Sequence, residues 1–388
     1  MGILKIKQLI ISTTIGRFFD SRLRRLLAFI PFLHSNISQK NISFIPENFI
    51  FFLYGGIGDN ILLFPLINKL SQHSKVIVLC EKTISNLSFL FLENIDVVIY
   101  DKNHMIKQGI SFRKELVKKN SVFVQTSPII EVYFIRCLLG LNYSIGLSSD
   151  FLKISSIGFK SKNRILKNSS RFDSYLEIYK DICYIFYHSA PPVTKGDFLT
   201  LPDFDKNING YNGNYVVISA LKSAQWEMGK MPDSEYRNLA EKIIEKFGYK
   251  VFFVGDISEF QVIDQIISKS IHKKMITNMA GKTTFSELVS VLHNAKFIVS
   301  NDNGISHLSS FLGLKTLVLF MFSDPSVYAW PNKNYAYILN DLHPCMPCVG
   351  VNQYPQDNYP VICKYGLVCN KTIVAEQIIH KINSLSWV

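Results

Sequence analysis

The sequence predicts an α/β protein made of two Rossmann-like domains with a cleft between them. Short apolar runs alternate with helix-period stretches twice, from Asn48 to about Leu147 and from Tyr215 to Phe320. A stretch rich in Pro, Gly, Asn and Asp, residues 191–213, separates the two series and reads as a linker. Each series also places a polar or glycine-rich turn after a strand, where open α/β sheets bind their ligands. A length of 388 residues suits two domains. The chain thus divides into a basic N-terminal segment 1–47, a first domain 48–190, the linker 191–213 and a second domain 214–388.

The N-terminal segment carries a helical stripe of Phe19, Leu23, Leu26, Leu27 and Ile30, with Arg17, Arg22, Arg24 and Arg25 mostly off it. Such a helix either lies in a membrane interface or packs on a domain with its arginines in water. Phe49–Tyr54 then reads as a strand, Gly55-Gly56-Ile57-Gly58 as a loop, and Asp59 to about Leu70 as a helix kinked at Pro65. Strands follow at Lys75–Cys80, Asp96–Tyr100, Ser121–Gln125 and Tyr143–Leu147. Thr83–Leu92, Ser111–Lys119 and Ile129–Leu139 are the helices between them, and Arg171–His188 is one long helix. In the second series Tyr215–Ala220 and Lys250–Val254 are strands, and Ser234–Phe247, Glu259–Lys269 and Phe285–Asn294 are helices. The strand Phe297–Val299, the helix Gly304–Phe311 and the strand Thr316–Phe320 close it as a βαβ unit.

Composition excludes several classes. With 48% hydrophobic and 19% charged residues, the chain folds around sizeable cores. Its net charge of +12 is spread along the chain without the aromatic-and-basic stripes of a nucleic-acid binder. A basic surface suits anionic sugar phosphates or an acidic membrane leaflet. No apolar run reaches 18 residues, so no transmembrane helix is expected. Seven cysteines, three of them scattered singly, favour a reducing cytoplasm, with peripheral attachment to the membrane's inner face as the alternative. Cys345, Cys348, Cys363 and Cys369 have a spacing that admits a structural zinc, or they are simply reduced thiols.

The chemistry concentrates in a few turns. Ser300, Asn301, Asp302 and Asn303 are good helix caps, Gly304 lets a ligand approach the backbone, and His307 lies one turn further on the same face. A helix N-terminus suits a phosphate; alternatively Asp302 or Asn303 only caps and His307 only packs. In the first half, GGIGDN at 55–60 is not a dinucleotide fingerprint, so no nicotinamide cofactor is expected. Asp59 beside Gly55, Gly56 and Gly58 is either an N-cap or a general base open to the cleft. Lys222, Trp226 and Lys230 follow the strand Tyr215–Ala220, and Glu259 follows Gly255. Glu259 is either a first-turn acid or an acceptor for sugar hydroxyls.

Together these residues resemble a known family. The set is GGIGD at 55–59, the Lys230-Met231-Pro232 loop, Val254-Gly255-Asp256 with Glu259, and Asp302-Asn303-Gly304 with His307 and Gly313. Leu319-Phe320 and Asp324-Pro325 complete it. The pattern is similar to glycosyltransferase family 9, the ADP-heptose:lipopolysaccharide heptosyltransferases, over roughly residues 48–340. The resemblance implies a GT-B fold and an inverting, metal-independent sugar transfer with no cofactor. It further implies that the second domain holds a nucleotide-diphosphate sugar, ADP-heptose first, and that the first domain holds a glycolipid or oligosaccharide acceptor.

By the same resemblance Asp59 matches the base, and Asp302, Asn303, Gly304 and His307 match the donor turn. Glu259 matches the carboxylate near the nucleoside. Asn303 stands where the family has Thr or Ser, Gly229 where it has Lys, and Met231 where it has Trp. Either Lys230 serves the pyrophosphate from a shifted loop, or Lys222 does. Two other functions fit the same scaffold: a nucleotide-sugar 2-epimerase, which needs no acceptor, and a nucleotide-sugar binding protein that has lost catalysis.

Overall fold

The computed structural model describes residues 44–101, 104–126, 130–141, 143–146, 170–188, 213–220, 229–339 and 368–387. The N-terminal amphipathic stripe, nearly all of the expected linker, Lys222, Trp226 and the side chains of Cys345, Cys348, Cys363 and Cys369 lie outside the described residues.

In chain order the first elements are β1 (Asn48–Phe52), α1 (Ile57–Ile61), α2 (Phe64–Ser71), β2 (Lys75–Cys80), α3 (Lys82–Ser85) and β3 (Ile95–Ile99). Next come α4 (Met105–Leu116), β4 (Ser121–Gln125), α5 (Ile130–Leu139), β5 (Tyr143–Gly146) and α6 (Arg171–Tyr187). The second series is β6 (Tyr215–Ser219), α7 (Asp233–Phe247), β7 (Lys250–Phe253), α8 (Phe260–Ser268), β8 (Ile276–Asn278) and α9 (Phe285–His293). It continues through β9 (Ile298–Asn301), α10 (Gly304–Phe311), β10 (Thr316–Phe320), α11 (Pro325–Tyr328), β11 (Tyr335–Leu339) and α12 (Ala375–Ser384).

Among the described residues the strands form two parallel sheets, ordered β3-β2-β1-β4-β5 and β11-β10-β9-β6-β7-β8. Parallel strands covered on both faces read as continuous apolar runs, and β1, β4, β6 and β10 are buried at every position. Each sheet has a switch point, between β1 and β4 in the first and between β6 and β9 in the second. A doubly wound sheet opens at the carboxyl ends of the strands on either side of its switch point.

The chain falls into two compact units. The first, residues 1–54, 66–165 and 175–192, has a core of Ile50, Phe52, Ile77, Leu79 and Phe123, closed by Val132, Ile135 and Leu139 of α5. The second, residues 55–65, 166–174 and 193–388, packs β6, β7, β9 and β10 under Leu239, Ile243, Ile263, Ile378 and Ile382. The glycine loop with α1, and the segment reaching the first turn of α6, therefore belong with the second unit.

Several elements differ from the sequence expectation. The helix expected from Asp59 to about Leu70 is two helices, broken at Leu62-Leu63 where Leu63 N–H bonds Asn60 O at 3.0 Å. Pro65 is the second residue of α2, where no intrahelical N–H bond is required, so it starts a helix rather than kinking one. The stretch expected as Thr83–Leu92 is α3 followed by a 3-10 turn, Ser88–Leu90. Short polar residues there compete with the helix ladder for backbone hydrogen bonds. The strands β8 and β11 were not expected; each is short or only partly buried and lies at a sheet edge.

Candidate active site

The second sheet's switch point is tied together by one buried asparagine. Asn301 ends β9, and its Nδ2 donates to Ala220 O at 2.8 Å and to Tyr236 Oη at 2.7 Å. Tyr236 Oη also accepts from Met231 N at 3.1 Å. These bonds fix the loop carrying Lys230 beside the turn that follows β9. Burial raises the Tyr236 phenol well above its ordinary range, so it remains a neutral hydroxyl here. Lys230 is half-buried and makes no ion pair among the described residues. Gly229 has φ +95°, a conformation that strains a lysine, while Met231 is fully buried. Position 229 thus takes a backbone that suits glycine, Lys230 stands one position further along the loop, and the apolar Met231 fills the place of the family's Trp.

In the turn, Asn303 and not Asp302 is the cap. Its backbone is extended, and its Oδ1 accepts from Ile305 N at 2.9 Å and Ser306 N at 3.1 Å. Ser306 Oγ answers by accepting from Asn303 N at 3.0 Å, a reciprocal capping box. Asn303 also meets Ser300 Oγ and Ser219 Oγ, both at 3.0 Å, which pins α10 to the ends of β9 and β6. Two of the helix's first N–H groups are thus taken by its own cap.

Asp302 and His307 form a buried pair, 8% and 6% exposed. His307 Nε2 lies 3.3 Å from Asp302 Oδ1, and Ser323 Oγ donates to Asp302 Oδ2. On the far side of the ring, Trp330 Nε1 donates to His307 Nδ1 at 3.0 Å. Neither Ser323 nor Trp330 was identified from sequence, since both lie between motif positions and contribute only through folding.

The glycine loop packs on this turn. A methyl built on Gly58 would lie 2.7 Å from His307 Cδ2, so only glycine lets the two helices approach there. Gly304 is the matching contact, with its Cβ position 3.4 Å from Ile57 Cβ. Gly55 has φ +100°, whereas Gly56 is extended and needs no special conformation. Asp59 is the third residue of α1, not its cap, and is exposed. Its Oδ2 folds back to 3.6 Å from the Cβ positions of Gly55 and Gly56. Asn60, buried beneath, donates from Nδ2 to Gly56 O at 2.9 Å and holds the loop's shape.

Glu259 lies at the end of the turn after β7. Its Oε2 accepts from Asp256 N at 2.8 Å while Asp256 caps Ser258 N at 3.0 Å. It is 9% exposed, and burial raises its carboxyl above the ordinary value of 4.5 despite the Asp256 N–H bond. One oxygen caps, and the other is not used by a described residue. Among the described residues no group of three or more His, Cys, Asp or Glu is placed to hold a metal.

The sequence-identified residues Asp59, Gly58, Asp302, Asn303, Gly304 and His307 thus fall in one compact unit, on α1 and the start of α10. Comparison with known proteins bears on the family and the fold. Residues 157–357 match the family model for glycosyltransferase family 9 (heptosyltransferase). The chain is 24% identical over 343 residues to lipooligosaccharide heptosyltransferase 2 of Campylobacter jejuni, covering 85% of this chain and 96% of that one. In fold it is similar to a glycosyl transferase family 9 structure from Veillonella parvula, with TM-score 0.67, 15% identity, and 89% and 98% of the two chains covered. It is likewise similar to the E. coli ADP-heptose lps heptosyltransferase II, with TM-score 0.63, 15% identity, and 87% and 98% covered.

Proposed function

The chain belongs to glycosyltransferase family 9, the heptosyltransferase family, and from that premise we propose that it transfers heptose from ADP-heptose to a lipooligosaccharide acceptor. The observation that carries the reading is the packing of Gly58 on His307, which sets an exposed carboxylate, Asp59, in the first turn of α1 next to the donor turn.

The reaction is a displacement at the anomeric carbon. The acceptor oxygen bonds to that carbon as the bond to the diphosphate breaks, ADP leaves, and the configuration inverts. Asp59 takes the acceptor hydroxyl's proton as its oxygen attacks. The diphosphate gathers charge as it leaves, and Lys230 and the Asn303-capped start of α10 meet it in a preorganised setting. Glu259, whose second oxygen is not used by a described residue, accepts from a nucleoside hydroxyl.

The transfer needs no metal, since a cation and a helix terminus do that work. The net charge of +12 supports work at an anionic cytoplasmic membrane face, and no helix among the described residues is long and apolar enough to cross a membrane. Calorimetry with ADP-heptose, GDP- and UDP-sugars, with and without EDTA, tests this. ADP-heptose is expected to bind best, with affinity unchanged by EDTA. Loss of binding in EDTA by a protein that stays folded would contradict metal independence, and preference for another nucleotide would contradict the donor.

A further inference from the structure

His307 is a buried imidazole whose two nitrogens face different groups. Trp330 Nε1–H points at Nδ1 at 3.0 Å, and an indole N–H only donates. Nδ1 must therefore be the lone-pair nitrogen, which leaves the ring proton on Nε2. Nε2 is the nitrogen 3.3 Å from Asp302 Oδ1. The other tautomer would set two N–H groups against each other at Trp330 and a lone pair against a carboxylate at Asp302. Both faults would lie in a buried site, where unmatched polar groups are costly.

The indole is itself held. Phe172, in the first turn of α6, packs at a tilt against Trp330 with ring centroids 4.4 Å apart, and Phe311 of α10 approaches to 6.2 Å. Trp330 is 4% exposed, so water does not compete for its N–H. At the other end Ser323 Oγ donates to Asp302 Oδ2.

We infer that Trp330 is a positioning residue of the donor site: its N–H locks His307 as the Nε2–H tautomer, which turns an N–H toward Asp302 beside the turn that receives the donor. Ser323 does the same from the opposite side of the carboxylate. The inference rests on the reading of the Asp302–Gly304 turn as the donor site, but its first observable needs no donor.

The test uses the full chain labelled with 15N-histidine. A long-range proton–nitrogen spectrum distinguishes a pyridine-like from a pyrrole-like nitrogen, and loss of one signal set in His307→Asn assigns His307 among nine histidines. The wild type is expected to show pyridine-like Nδ1 and pyrrole-like Nε2. In Trp330→Phe, which keeps a ring against Phe172, Nδ1 loses its hydrogen-bond donor, so its signal is expected to shift, and the ADP-heptose Kd is expected to rise about tenfold. Ser323→Ala is expected to keep the tautomer and weaken donor binding, which tests the same turn without touching the aromatic packing. A wild type in the Nδ1–H form overturns the inference with no variant at all. An unchanged His307 spectrum or unchanged donor Kd in folded Trp330→Phe overturns it too. A wild type that binds no ADP-heptose sinks the transferase reading, and the ligand-free spectrum tells that failure apart from this one.

Discussion

At the residue scale the site depends on one absent side chain. Gly58 has no room for a methyl, because His307 Cδ2 would stand 2.7 Å from it. Gly58→Ala must therefore shift either α1 or the His307 ring. It is expected to cost about 1–3 kcal/mol of stability, the usual scale of overpacking, and to lower kcat/KM about tenfold; thermal unfolding and steady-state rates check this. Glu259 is a second residue-scale case. Burial raises its carboxyl above 4.5, so the folded chain holds that proton more tightly than the unfolded one. Ionisation then destabilises the fold as pH rises through the window above 4.5. Glu259→Gln keeps an acceptor for Asp256 N–H and is expected to melt higher than wild type at pH 7. The gain should vanish below about pH 4, while donor affinity falls about tenfold for want of a charged acceptor. A melting series across pH with donor titration measures both. Asp59, Asp302 and His307 stand out in the sequence by residue type and spacing, but which of Asp302 and Asn303 caps was not legible, since both types cap equally well.

At the element scale, the turn between β9 and α10 is built on Asn303. Its side chain serves two helix N–H groups and touches Ser300 and Ser219. Asn303→Ala removes all four contacts and is expected to cost about 2 kcal/mol, the upper end for a cap, and to weaken donor binding. Asn303→Ser keeps a capping oxygen and should lose less than half as much, as chemical denaturation of the two variants would show. The long, fully buried strands and α7 were readable within a residue or two because periodicity and burial agree there. The break between α1 and α2 was not, because a proline inside an apolar helical pattern signals a kink or a start equally well. Edge strand β8 has three residues, too few to show any period.

At the scale of the whole molecule, two doubly wound sheets were legible from the alternation alone, and their strand orders place a switch point in each. What the sequence did not reveal is that residues 55–65, early in the chain, pack with the second unit. Sequence order assigns a loop to its neighbours; the close contacts of Gly58 with His307 and of Gly304 with Ile57 assign this one. The family pattern supplied the reaction, and the fold leaves the Asp59 carboxylate exposed on α1 beside the turn after β9. The most direct measurement is heptose transfer from ADP-heptose to a lipooligosaccharide acceptor by wild type and Asp59→Asn, with donor Kd measured alongside. Asp59→Asn keeps the side chain's shape and removes only the proton acceptor, so donor Kd should hold while turnover falls roughly 100-fold or more. Transfer by Asp59→Asn at the wild-type rate would contradict the account and leave Asp59 as no more than a first-turn acid on α1.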